Sequence, residues 1–207
     1  MGRSNAVWIT GVGATTPLGS GYDMIADGLL AGRSGVRRVN TFDVSEHPSQ
    51  IAGQVEQIPC PTAWEPTAFK KLPPLEQLIL SCCTAALCDA NCWESRSDFR
   101  IGMVIGLGAE WLEVWEVDTL QGGTRIYHPQ QNRESLTHSA CQKLGISGPV
   151  MSVSAACASG NYAIAQARRW LEMGWVDICL AGACDMAVTP MSLAGFGNLR
   201  ALSRGAE

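Results

Sequence analysis

Gly148-Pro-Val-Met-Ser-Val-Ser-Ala-Ala-Cys-Ala-Ser-Gly-Asn-Tyr-Ala-Ile164 is the stretch whose reading decides the fold. Gly148-Pro149 releases a short β-branched and apolar run that suits a strand. The small residues 154–156 follow, then Cys157, then a segment of helical character from Ala158 to Met173 that stops at Gly174. Cys157 therefore falls where a strand turns into a helix, among side chains small enough for a tight turn and an approaching substrate. The first amides of a helix lack intrahelical acceptors, and their partial positive charge favours a thiolate, the form that attacks carbonyls. Taken alone, a free cysteine is more often a small buried hydrophobe. Here the flanking residues favour a nucleophile.

Outward from this stretch, strand-like and helix-like segments alternate. Toward the N-terminus, Arg100 to Gly108 (Arg-Ile-Gly-Met-Val-Ile-Gly-Leu-Gly) has the unalternating apolar character of a central parallel strand. Pro73-Pro74 opens a long apolar helix over 75–91, and Arg133 to Leu144 reads as another helix after a loop at 121–132. Residues 6–10 form a β-rich run, Tyr22 to Ala31 a helix, 51–55 a strand, and 176–183 a last apolar strand leading to Asp185 and to residues 189–203. The alternation predicts an α/β fold with a mostly parallel sheet. Gly11-Val-Gly13 after a strand invites a dinucleotide-binding reading, but Thr16 stands at the third glycine position and Pro17 breaks the helix that should follow.

Composition narrows the class. The 207 residues are 46% hydrophobic and 16% charged, which suits a globular chain and not a disordered one. The net charge of −4 gives no reason to expect nucleic acid. No apolar run approaches the roughly 18 residues of a membrane span, and the N-terminus has no signal-peptide pattern. The nine cysteines show no Cys-x-x-Cys spacing, and His47, His128 and His138 lie outside metal-ligand spacing of any of them. These features predict reduced core cysteines, a cytoplasmic location, and neither metal nor cofactor.

A glycine nine residues before the cysteine, small residues on both sides and an aliphatic residue seven later make a pattern constrained at many positions. With Gly148, Ala156, Cys157, Ala158, Ser159, Gly160 and Ile164 the chain meets it, and so resembles the β-ketoacyl-acyl carrier protein synthases, the condensing enzymes of fatty acid and polyketide synthesis. The resemblance spans essentially the whole chain and is strongest at 6–19, 100–108, 148–164 and 180–203. It implies the N-terminal half of a thiolase-like fold across 1–207, with the C-terminal half missing, and an apolar sheet face that leaves the isolated chain poorly soluble. It further implies that Cys157 takes an acyl group from acyl carrier protein, with its own backbone N–H as one oxyanion donor. Decarboxylative condensation with malonyl-acyl carrier protein would follow, in a homodimer or in a heterodimer with another synthase subunit.

By the same resemblance Ala109 and Phe196 border the acyl pocket, with Glu110 and Trp111 narrowing it where relatives carry small residues. Lys70, Lys71 and Arg200 match basic positions that meet the acidic carrier protein. For each, ordinary packing or solvated surface charge is the alternative. The family's two catalytic histidines come from the second half, and none of the three histidines here has their context. Gln130 to Glu134 replaces an apolar stretch of the pocket wall. A non-catalytic partner subunit of a synthase remains a competing reading, against which Cys157 counts, and a Cys-His thioester hydrolase using His128 or His138 is another.

Overall fold

The computed structural model describes residues 6–123 and 135–205, without the side chains of residues 110, 111 and 113. In chain order the elements begin with β1 (Thr15–Thr16), β2 (Gly19–Ser20), α1 (Tyr22–Leu30), β3 (Val36–Arg38), β4 (Ile51–Gly53), α2 (Pro66–Lys70) and α3 (Pro74–Asp89). They continue with β5 (Ile101–Gly106), α4 (Glu110–Leu120), α5 (Leu136–Lys143), β6 (Val150–Val153), α6 (Ser159–Glu172), β7 (Ile178–Ala183) and α7 (Pro190–Asn198). The chain divides into two compact units, one of Met1–Ala14, Ile58–Gly108 and Arg133–Asp185, the other of Thr15–Gln57, Ala109–Asn132 and Met186–Glu207.

The first unit is built on a three-stranded parallel sheet in the order β6-β5-β7. Every residue of β5 is buried, as its unbroken apolar run predicts. Its odd positions Ile101, Met103 and Ile105 join one core with Ile79, Leu80, Cys83 and Leu87 of α3 and with Ala140 and Cys141 of α5. Val104 faces the other way, onto Ala163, Ala167 and Trp170 of α6. Two glycines flank Val104 on that face, and both are there for closeness. A Cβ on Gly102 would sit 3.1 Å from the Trp170 ring, and one on Gly106 only 2.6 Å from the backbone of Ser159. The bare strand lets α6 settle directly on the sheet.

Arg100 locks the entry to β5. Its side chain donates to both carboxylate oxygens of Asp177, at 3.0 and 2.6 Å, and to the Gly174 carbonyl at 2.8 Å, tying the α6–β7 turn to the strand start. A second tie joins α3 to α5: the buried Glu76 carboxylate accepts from Ser139 at 2.7 Å and from Lys143 at 2.8 Å.

The second unit contains two antiparallel hairpins, β1-β2 and β3-β4. Its small core joins Val39 and Val44 to Leu193 of α7, with Phe42, Ala52, Val188 and Leu202 around them. Among the described residues no helix is long and apolar enough to cross a membrane.

One expectation needs correction. Residues 6–10 form no strand, and Trp8 and Ile9 are 79% and 86% exposed, because that apolar run has no ladder partner among the described residues. The glycines after it serve packing: a Cβ on Gly11 would meet the Ala86 carbonyl at 2.2 Å, and one on Gly13 the Cys82 carbonyl at 1.9 Å. The segment thus lies against the backbone of α3. Helix α7 was not foreseen. Its start is a capping box in which Thr189 and Ser192 bond each other's backbone amides, with Pro190 in the first turn.

Candidate functional site: a cysteine at a strand-to-helix elbow

The three parallel strands end level with one another, Gly106 pairing with Val153 on one side and Ala183 on the other. Ligand sites in such sheets gather beyond the carboxyl ends of the strands. From the end of β6 the chain passes through residues 154–155 into a 3₁₀ turn, Ala156–Ala158, and then into α6. Cys157 is the middle residue of that turn and is exposed. Ala158, the residue that caps α6, makes no side-chain cap among the described residues, and the Ser159 N–H that follows donates to the Ala156 carbonyl.

The elbow is sharp because Ala156 adopts φ 49°, a left-handed conformation that an alanine takes only under constraint. Ser159 supplies the constraint. Its buried hydroxyl accepts from the Ala155 amide at 2.9 Å and donates to the Ala156 carbonyl at 2.7 Å. Asp185, just past β7, accepts from the Gly108 amide at 3.1 Å, and Gly108 in turn lies against the Ala156 carbonyl. Each of the three strand ends thus contributes to the turn.

Most of the chain's other thiols are less exposed than Cys157. Cys83 is buried among thiols, and desolvation pushes its titration far above the ordinary range. Burial pushes Cys179 up to about 12, and Cys141 is raised for the same reason. Only Cys88, at the exposed end of α3, shares the exposure of Cys157. All nine cysteines are free thiols.

Lys70 and Lys71 sit at the end of α2, a short helix held by the Glu65 carboxylate on the Thr67 and Ala68 amides and anchored by the fully buried Phe69. Both lysines are exposed in the unit that holds Cys157. Ala109, Phe196 and Arg200 belong to the second unit. Ala109 is the residue before α4, Phe196 lies on α7 and is 48% exposed, and Arg200, exposed, follows α7 with φ 56°. His47 packs edge-on against Phe42 in the second unit, and His138 is exposed on α5. His128, the stretch Gln130 to Glu134, and the side chains of Glu110 and Trp111 lie outside the described residues. Among the described residues no cluster of His, Cys, Asp and Glu could hold a metal ion.

The profile of the β-ketoacyl synthase N-terminal domain matches residues 4–207. The chain belongs to that family. A "Putative polyketide beta-ketoacyl synthase 1" of Streptomyces halstedii is 31% identical over 97% of this chain and 51% of its own length. A "3-oxoacyl-[acyl-carrier-protein] synthase 2" of Coxiella burnetii is 30% identical over 95% of this chain and 50% of its own. A crystal structure of a β-ketoacyl synthase from Burkholderia phymatum superposes with a TM-score of 0.76 at 28% identity, covering 96% of this chain and 51% of that one. The α/β, thiolase-like fold expected from the sequence is therefore the fold of this β-ketoacyl synthase domain. The chain spans about half the length of the curated relatives it matches.

Sequence reasoning found the cysteine and its setting but missed what holds it. Ser159 stood in the pattern only as a small residue. The signal available was a hydroxyl two positions past the cysteine at a helix start, where serine commonly bonds nearby backbone.

Proposed function

We propose that this chain is the cysteine-bearing domain of a decarboxylating carbon–carbon bond-forming acyltransferase in fatty acid or polyketide synthesis. Residues 1–207 would form its N-terminal half. The observation that carries the reading is an exposed Cys157 at a strained elbow ahead of helix α6, inside a domain of the β-ketoacyl synthase family. The thiolate of Cys157 attacks the carbonyl of an acyl thioester, and the negative charge on the tetrahedral oxygen is met by the Cys157 N–H. The carrier thiolate leaves and the acyl group remains on sulfur. Malonyl-acyl carrier protein then loses CO₂, its carbanion attacks the acyl-cysteine carbonyl, and the Cys157 thiolate is released. By the family resemblance the histidines of the decarboxylation step belong to the second half, and no part of that step is assigned to His47, His128 or His138.

The partner is acyl carrier protein, as the name of the Coxiella relative supports. Lys70, Lys71 and Arg200 offer it exposed cations. Ala109 and Phe196 border the acyl chain. The enzyme works in the cytoplasm as a homodimer or with a second synthase subunit, a location consistent with its free thiols. Incubation with an acyl-carrier thioester should add one acyl group to Cys157 by peptide mass mapping, and Cys157→Ala should take up none. An unacylated wild-type chain, shown to be folded, would sink the proposal.

A further inference from the structure

We propose that Ser159 is a positioning residue that aims the Cys157 backbone N–H at the developing oxyanion. The inference rests on Cys157 being the acyl acceptor. The Ala156 carbonyl and the Cys157 N–H belong to one planar trans peptide, so they point in opposite directions and neither turns without the other. Ser159 grips that carbonyl with its hydroxyl proton at 2.7 Å and holds the Ala155 amide at 2.9 Å with its oxygen, bracketing Ala156 from both sides. The serine is itself held. It is 3% exposed, and the bare face of Gly106 leaves its backbone no room to retreat toward the strand. With the carbonyl drawn to a buried hydroxyl, the Cys157 N–H points away from that hydroxyl, in a residue that is itself exposed. Without the hydroxyl, the Ala156 carbonyl keeps the backbone N–H of Ser159 as a donor but the Ala155 amide loses its acceptor, so less opposes relaxation to negative φ, which swings the peptide and the N–H with it.

An oxyanion donor helps attack on a carbonyl but has no part in displacement at a saturated carbon, and this separates positioning from general support. The full chain and its Ser159→Ala variant are compared in two reactions of Cys157: acylation by the N-acetylcysteamine thioester of hexanoate, and alkylation by iodoacetamide. Misaiming one donor should slow acylation roughly 10- to 100-fold, below the loss from deleting a donor outright. Alkylation should stay within about threefold of wild type, since no oxyanion forms in it. Adding Ala156→Gly, which makes positive φ free of side-chain strain, should restore acylation in the double variant. Equal slowing of both reactions, unchanged acylation, or absence of rescue overturns the assignment. If Ser159→Ala alone does not fold, the double variant decides: folded and fast in acylation supports the role, and folded and slow overturns it, as does failure of both variants to fold. A wild-type chain that is alkylated but never acylated instead refutes the acyl-acceptor reading, so the two failures are told apart.

Discussion

Strands β5 and β6 run side by side in one parallel ladder, yet they are built for different ends. All six residues of β5 are buried, and its side chains divide between two cores. No residue of β6 is fully buried, and Met151 is 37% exposed. Strand β5 carries the cohesion of its unit, while β6 delivers a cysteine to a turn at the end of the sheet. The cost of the strained elbow falls on a short bracket of hydrogen bonds, and the sheet beneath it is regular. Stability and chemistry should therefore be separable by mutation.

The largest effect expected of that separation is at Cys157. Replacing this exposed residue with alanine should abolish acyl uptake and move the unfolding free energy by no more than about 0.5 kcal/mol, measured by urea titration. A large stability loss would break the distinction. The converse change is Met103→Ala on β5, where the side chain is fully buried. It should cost about 3 kcal/mol while leaving the iodoacetamide rate of Cys157, referred to the exposed Cys88, unchanged in the folded protein. A coupled fall in that ratio would show that core and elbow are not independent.

A smaller effect tests carrier recognition, which neither strand should influence. Changing Lys70, Lys71 and Arg200 together to glutamine should raise the KM for acyl carrier protein several-fold and flatten its dependence on ionic strength, with acylation from a small thioester unaltered. Unchanged salt dependence would remove these residues from the docking surface.

The smallest effect concerns the lock at the start of β5. The Arg100 side-chain bond holds the Asp177 carboxyl at about 2, below its ordinary 3.8. A carboxylate whose value is depressed in the folded state contributes stability that is full above its unfolded value and is lost as pH falls through the folded one. The advantage of the wild type over Asp177→Asn should thus be constant at neutral pH and shrink between about pH 4 and pH 2. Denaturant midpoints at stepped pH measure it, and a difference that persists to pH 2 would mean that packing, not charge, makes the lock.

Much of this was legible in the sequence because it rests on local pattern. The unbroken apolar run of β5 announced a central strand, and the glycine, small-residue and cysteine spacing announced the elbow. Helix α3 was marked by Pro73-Pro74 and its apolar faces. What escaped depends on contacts between distant segments. Residues 6–10 have strand composition but no ladder partner among the described residues, and composition cannot supply one. Helix α7 begins with a serine where a capping box more often shows Glu or Gln, so its signal was easy to pass over. The role of Ser159 lies in two hydrogen bonds around a positive φ at Ala156, and neither bond nor dihedral is written in residue type.

Gly148 shows how far the reach of a sequence pattern can extend beyond the residue at its centre. A side chain there would come within 2.1 Å of the Ile101 carbonyl oxygen, an atom of the neighbouring backbone. Since that oxygen is common to every amino acid, no compensating substitution at Ile101 can make space, and Gly148→Ala should have no suppressor at its contact partner. The outermost position of the pattern is thereby fixed by how closely two chains can lie, and it should persist even in descendants that have lost the cysteine.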